Sequence, residues 1–136
     1  MQSPKPPANA RVRVLIVDDQ ELFANALTAF LERDDRVEVV GTASSGQEAI
    51  DLALEQYADV VLMDVFMRGI NGLEATKRLR TIRPQTHVIV LSGLEVDDLG
   101  ERASEAGADG HLKKGIVHEH LVDAILRVAQ GQALEF

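Results

Sequence analysis

The chain contains no cysteine, which excludes a disulfide scaffold, thiol catalysis and a zinc–thiolate site. It has no run approaching the ~18 consecutive apolar residues that a membrane-spanning helix needs. Residues 1–10 are Pro-rich and polar and lack the apolar stretch of a secretory signal. A cytoplasmic location without a membrane partner is therefore expected. Positive charge is scarce: 14 Lys and Arg stand against 22 Asp and Glu, a formal net charge of −8. Nucleic-acid binding draws on clustered cations that release counterions from phosphates, so direct binding of DNA or RNA by this chain is not expected. Three signatures are also missing: G-x-x-x-x-G-K, G-x-G-x-x-G and G-x-S-x-G. Their absence removes the commonest nucleotide-binding and hydrolase readings.

What is present is a chain of 136 residues with 46% hydrophobic and 26% charged residues, the mixture of one soluble globular domain. The expected organisation is a disordered leader over residues 1–10, one ordered domain over 11–131, and the start of a linker or a cloning scar over 132–136. Within the domain, five short apolar runs rich in Val, Ile and Leu predict strands at 12–17, 37–40, 60–63, 88–91 and 111–113. Near-continuous apolar runs are what strands covered on both faces look like.

Five helical stretches follow the strands in turn. The first carries Leu22, Ala26, Ala29 and Phe30 at helical spacing. The second opens on Ser45-Gly46-Gln47-Glu48, a capping box, and then turns Ala49, Leu52 and Ala53 one way. The third begins at Asn71, with Glu74 three residues on, and ends before Pro84. The fourth is expected over 96–106, stopping at Gly107, and the fifth carries Leu121, Ile125 and Val128 on one stripe. Strict β–α alternation predicts an α/β fold with a five-stranded, doubly wound parallel sheet. The expected strand order is 2-1-3-4-5, as in flavodoxin-like folds.

In such a sheet, ligands bind at the carboxyl ends of the strands where the order reverses, here between strands 1 and 3. Strand 1 ends in Asp18 and Asp19, and strand 3 ends in Asp64. A single Asp at such a place is more often a helix cap or turn residue. Three like charges converging on one crevice need a cation, and hard oxygen ligands suit Mg²⁺. Strand 4 ends in Ser92 and strand 5 is followed by Lys114. Taken singly, these are a cap and a surface charge. Beside a carboxylate–Mg²⁺ cluster, the hydroxyl and the ammonium would hold phosphoryl oxygens. One carboxylate would then be the nucleophile, as in aspartyl-phosphate chemistry.

With these residues in place, the chain resembles the receiver domains of bacterial two-component response regulators. The matching segments are Val14-Leu15-Ile16-Val17-Asp18-Asp19-Gln20, Val61-Leu62-Met63-Asp64-Val65, Val90-Leu91-Ser92-Gly93, Ala106-Gly107-Ala108-Asp109-Gly110, and Lys114. The resemblance implies that Asp64 is the phosphoryl acceptor. It implies that Asp18 and Asp19, with Asp64 and the backbone carbonyl of Phe66, hold Mg²⁺. Ser92 corresponds to the switch hydroxyl. Lys114 rather than Lys113 corresponds to the family's lysine, because it lies four residues after Gly110. His111 stands at the usual aromatic switch position, and an ordinary edge-strand histidine is an equal reading.

The segments 107–110 and 125–131 are similar to the NarL/FixJ subfamily. That similarity implies a sensor histidine kinase as partner, a homodimer formed on phosphorylation, and control of transcription through a C-terminal helix-turn-helix domain expected to be absent from this chain. Dimerisation through the first and fifth helices and through the fourth helix and fifth strand are both open. A receiver catalyses its own phosphorylation and dephosphorylation and is not otherwise an enzyme. Arg68 and Gly115 depart from the family pattern, each standing where proline is usual. Phe66 is bulky enough beside an acyl phosphate to obstruct water. Two other readings are a receiver-like module that signals by contact without phosphorylation, and a flavin-binding or hydrolytic enzyme on the same fold. The presence of all five polar residues argues against the first, and the missing motifs against the second.

Overall fold

The computed structural model describes residues 10–93 and 97–134. Five strands alternate with five helices: β1 Val12–Val17, α1 Glu21–Leu31, β2 Val37–Ala43, α2 Gly46–Glu55, β3 Val60–Asp64, α3 Gly72–Ile82, β4 His87–Ser92, α4 Leu99–Glu105, β5 Gly110–Lys113 and α5 Val117–Ala129. A single 3₁₀ turn, Lys114–Ile116, joins β5 to α5. The strands are all parallel, in the order β2-β1-β3-β4-β5, as the alternation predicts.

The period of two along each strand splits the core into two layers. Leu15 and Val17 of β1, Val61 and Met63 of β3, and Val88 and Val90 of β4 face α2, α3 and α4. Val14 and Ile16, Val60 and Leu62, and Ile89 and Leu91 face α1 and α5. Every residue of β3 is buried, which is why its sequence shows no polar alternation. Both predicted caps form. The Ser45 hydroxyl accepts from the Glu48 amide, the Glu48 carboxylate accepts from the amide of Ser44, and Asn71 Oδ1 accepts from the Glu74 amide at 2.9 Å. Leu121, Ile125 and Val128 are the buried stripe of α5.

β3, β4 and β5 each run a residue beyond the expected bounds at one or both ends, and larger differences fall in β2, α1 and α4. β2 continues to Ala43 rather than stopping at 40. Gly41 and Thr42 are carried by pairing with Leu15 and Ile16 after a register shift beyond Val14. The buried face of α1 is Ala24, Leu27 and Leu31, whereas Leu22 is 86% exposed, Ala26 and Ala29 are exposed, and Phe30 is half-buried. α1 carries two apolar stripes, and its packing with α5 on β1 and β3 selects the second. α4 begins at Leu99, with Asp98 as its N-cap; the expected start at Val96 lies outside the described residues.

The leader over 1–9 and residues 135–136 also lie outside the described residues. Leu134 turns back on the sheet: its amide donates to the Asp109 carbonyl at 2.7 Å, and its side chain covers Gly110, where a Cβ would meet Leu134 Cδ1 at 2.5 Å. Among the described residues no helix is long and apolar enough to cross a membrane.

Candidate functional site

Because β2 lies on one side of β1 and β3 on the other, the loops leaving β1 and β3 diverge and open a crevice at their carboxyl ends. Asp18 and Asp64 are buried there, Asp64 being 3% exposed, while Asp19 stands at the rim. One carboxylate oxygen from each of the three lies within 4.8 Å of the others. Asp18 Oδ1 accepts from the Gln20 amide at 2.8 Å, which aims the carboxylate inward.

Lys114 enters from just past β5. Its ammonium is 2.6 Å from Asp18 Oδ2 and 3.4 Å from Asp64 Oδ1, and its side chain is only 13% exposed. It also donates to Gln20 Oε1 at 3.3 Å and sits 4.6 Å from the centre of the Phe23 ring. Gly93 borders the lysine stem: a Cβ there would lie 3.4 Å from Lys114 Cδ. Lys113, the last residue of β5, is exposed and pairs in the sheet with Ser92. Ser92 itself is buried at the end of β4. His111 is half-buried within β5, opposite Val90.

Phe66 reaches Asp64 through its backbone amide, which donates to the carboxylate, and the residue is 49% exposed. An opening of about 290 Å³ beside the cluster is lined by Asp19, Ser44 and Arg68. The loop from β3 to α3 is pinned by Gly72. A Cβ at that position would overlap the Asp64 carbonyl oxygen and lie 2.8 Å from the carbonyl carbon. The Gly72 amide donates to the Val65 carbonyl at 2.8 Å, and Thr76 Oγ1 donates to the Gly72 carbonyl at 2.7 Å. Gly72, Phe23 and the Gln20 side chain were not legible as parts of the site. Only the place of Gln20, directly after the acidic pair, offered a signal.

Burial, and after it the charge of Asp18, pushes the Asp64 carboxyl up to about 6, against the opposing pull of Lys114 and the Phe66 amide. A carboxyl raised in the folded state stabilises the fold in its protonated form. That contribution is complete below the ordinary value of 3.8 and is lost as pH rises through about 6. Without divalent cations, Asp64→Asn is therefore expected to be more stable than the wild type at pH 7.5 by about 1–3 kcal/mol. The two should converge below about pH 4. Urea unfolding of both proteins in chelator at the two pH values checks this, and equal stability at pH 7.5 contradicts it.

An acidic crevice with a buried lysine, at the carboxyl ends of a doubly wound five-stranded sheet, defines the class of signal receiver domains. The chain belongs to the response regulator receiver domain family, whose sequence model matches residues 14–126. It is 42% identical over 121 residues to the response regulator GacA of Pseudomonas aeruginosa, covering 89% of this chain and 56% of that protein. It is 40% identical to the transcriptional regulatory protein LiaR of Bacillus subtilis, covering 89% of this chain and 57% of LiaR. The chain thus spans about half the length of these relatives. A two-component response regulator of the LuxR family from Aurantimonas sp. SI85-9A1 has the same fold. Its TM-score is 0.85 at 28% identity, covering 90% of this chain and 88% of that one. These relatives place the chain with the NarL/FixJ subfamily.

Proposed function

We propose that Asp64 accepts a phosphoryl group from the phosphorylated histidine of a sensor histidine kinase, and that the domain changes conformation in response. The observation that carries this reading is Lys114, an ammonium brought beside Asp18 and Asp64 from the turn that follows β5. A buried lysine among carboxylates can bring positive charge to a transferring phosphoryl group. Asp64 Oδ attacks phosphorus, the N–P bond to the imidazole breaks, and the electron pair stays on that nitrogen. Ser92 and Lys114 take the phosphoryl oxygens.

The donor set fits a hard divalent cation: three carboxylate oxygens within 4.8 Å, with one ammonium among them. Asp18, Asp19 and Asp64, with the carbonyl of Phe66, would hold Mg²⁺, which supplies charge neutralisation for the incoming phosphoryl group. In this reading the chain acts only on its own aspartate, losing the phosphoryl group again to water, and works in the cytoplasm. The receiver comprises residues 11–131, to which Leu134 adds a last packed side chain. Its output is homodimerisation that brings together helix-turn-helix domains of a longer regulator; the link to transcription is supported by the transcriptional regulatory protein LiaR, of which this chain covers 57%. Ser92 and His111 are the proposed switch residues. Val122 and Leu126 on α5 are half-buried and available to a partner.

Intact-mass measurement after treatment with acetyl phosphate tests the reading. One added phosphoryl group is expected with Mg²⁺ and none in excess chelator. No uptake with Mg²⁺ overturns the proposal in favour of a contact-only module, and undiminished uptake in chelator overturns the metal's part in it.

A further inference from the structure

We propose that Phe23 is a positioning residue for Lys114: its ring holds the ammonium at the cleft when a divalent cation occupies Asp18. The inference rests on the reading of Lys114 as the phosphoryl contact and adds to it a residue from α1.

Four neighbours surround the ammonium: Asp18 Oδ2 at 2.6 Å, Gln20 Oε1 at 3.3 Å, Asp64 Oδ1 at 3.4 Å and the Phe23 ring centre at 4.6 Å. A ring face attracts a cation within about 6 Å of its centre, and more strongly where water is kept away. The lysine side chain is largely buried, so the condition is met. Phe23 is itself held, because it packs at the margin of the α1/α5 core layer.

These partners respond differently to a metal. Asp18 is the nearest counter-charge, and a divalent cation would take its carboxylate. Asp64 loses one negative oxygen when it forms an acyl phosphate. Gln20 contributes only a neutral amide oxygen. The ring has no lone pair for a hard cation to claim, so its attraction for the ammonium persists through both events. Without it, a long side chain with many rotamers would spend more of its time in solvent.

The test compares the wild type, Phe23→Leu, Lys114→Ala and the double variant, following phosphoryl uptake from acetyl phosphate at saturating Mg²⁺ by intact mass. Phe23→Leu is expected to slow uptake about two- to fivefold, and Phe23→Tyr, which keeps the ring, to restore most of the rate. In the Lys114→Ala background the Leu substitution should have no further effect, because the ring acts only through the ammonium. The same fold loss in both backgrounds, or Phe23→Tyr as slow as Phe23→Leu, overturns the proposal by showing that the ring merely packs. Thermal melts accompany each variant, and Phe23→Met replaces Phe23→Leu if the latter is unfolded at the assay temperature. Should the wild type take up no phosphoryl group, the functional reading fails. The positioning claim is then read from Lys114 Nζ–H exchange at saturating Mg²⁺ by NMR, where Asp18 no longer serves as the nearest counter-charge. Faster exchange in Phe23→Leu supports it, and unchanged exchange overturns it.

Discussion

Asp64→Asn is expected to reduce phosphoryl uptake from acetyl phosphate to background. Asparagine matches the volume of the carboxylate and still accepts a hydrogen bond, but its amide is not a nucleophile at phosphorus. The rest of the crevice should survive, since the change removes a buried charge rather than adding one. This variant therefore separates loss of chemistry from loss of structure. Asp18 and Asp19, the other carboxylates of the cluster, should not substitute for it if they hold the metal. Neighbouring lysines give an internal control. Lys114→Ala should slow uptake or blunt the phosphorylation-induced change by about tenfold or more. Lys113→Ala should do little, because Lys113 is exposed while Lys114 reaches both Asp18 and Asp64. A phosphoryl mass gained by Asp64→Asn at the wild-type rate would show that the acceptor lies elsewhere.

Gly72→Ala should produce the largest loss of stability of any single methyl added near the site. The new Cβ would overlap the carbonyl oxygen of Asp64 and lie 3.0 Å from the Cα of Val65. Both are backbone atoms, so no rotamer change relieves the clash. Either α3 or the end of β3 must move. Overpacking of this kind costs about 2–3 kcal/mol or more, against which the gain in helix propensity over glycine is only about 1 kcal/mol. Moving the end of β3 also displaces Asp64, so uptake should fall together with the urea midpoint. Gly46→Ala is the contrasting case. Its worst clash is with the side-chain atoms of Ile70, at 2.5 and 2.8 Å, which can rotate aside on a half-buried residue; the Cβ of buried Ala75, at 3.1 Å, must give by a few tenths of an ångström. That variant should cost less than Gly72→Ala, about 1 kcal/mol. Gly72→Ala with wild-type stability and uptake would mean that the close approach of α3 does not set the position of Asp64.

Much of the domain was decided by short-range signals in the chain. The apolar runs and the helical spacings between them depend on periods of two and 3.6 residues, so strand and helix identity, and with them the strand order, were legible without a structure. The caps at Ser45 and Asn71 involve partners three residues away and were equally legible. Asp18, Asp19, Asp64, Ser92 and Lys114 could be named because each sits at the end of a strand, where the topology brings loops together.

Tertiary packing decided the rest. α1 has two apolar stripes, and nothing within the helix distinguishes Leu22 from Leu27; contact with α5 and the sheet buries one and leaves the other in solvent. The extension of β2 through Gly41 comes from its pairing with β1 rather than from its own propensity. Phe23 and Lys114 meet across the crevice only because β1 and β5 are wound into one sheet. Gly72 reads as an ordinary helix start until the backbone of Asp64 is seen against it, and Leu134 as a linker until it is found over Gly110. Periodicity and capping act over a few residues and are written locally. Which face is buried and which side chains converge depend on distances between elements far apart in the chain, and those exist only in the folded protein.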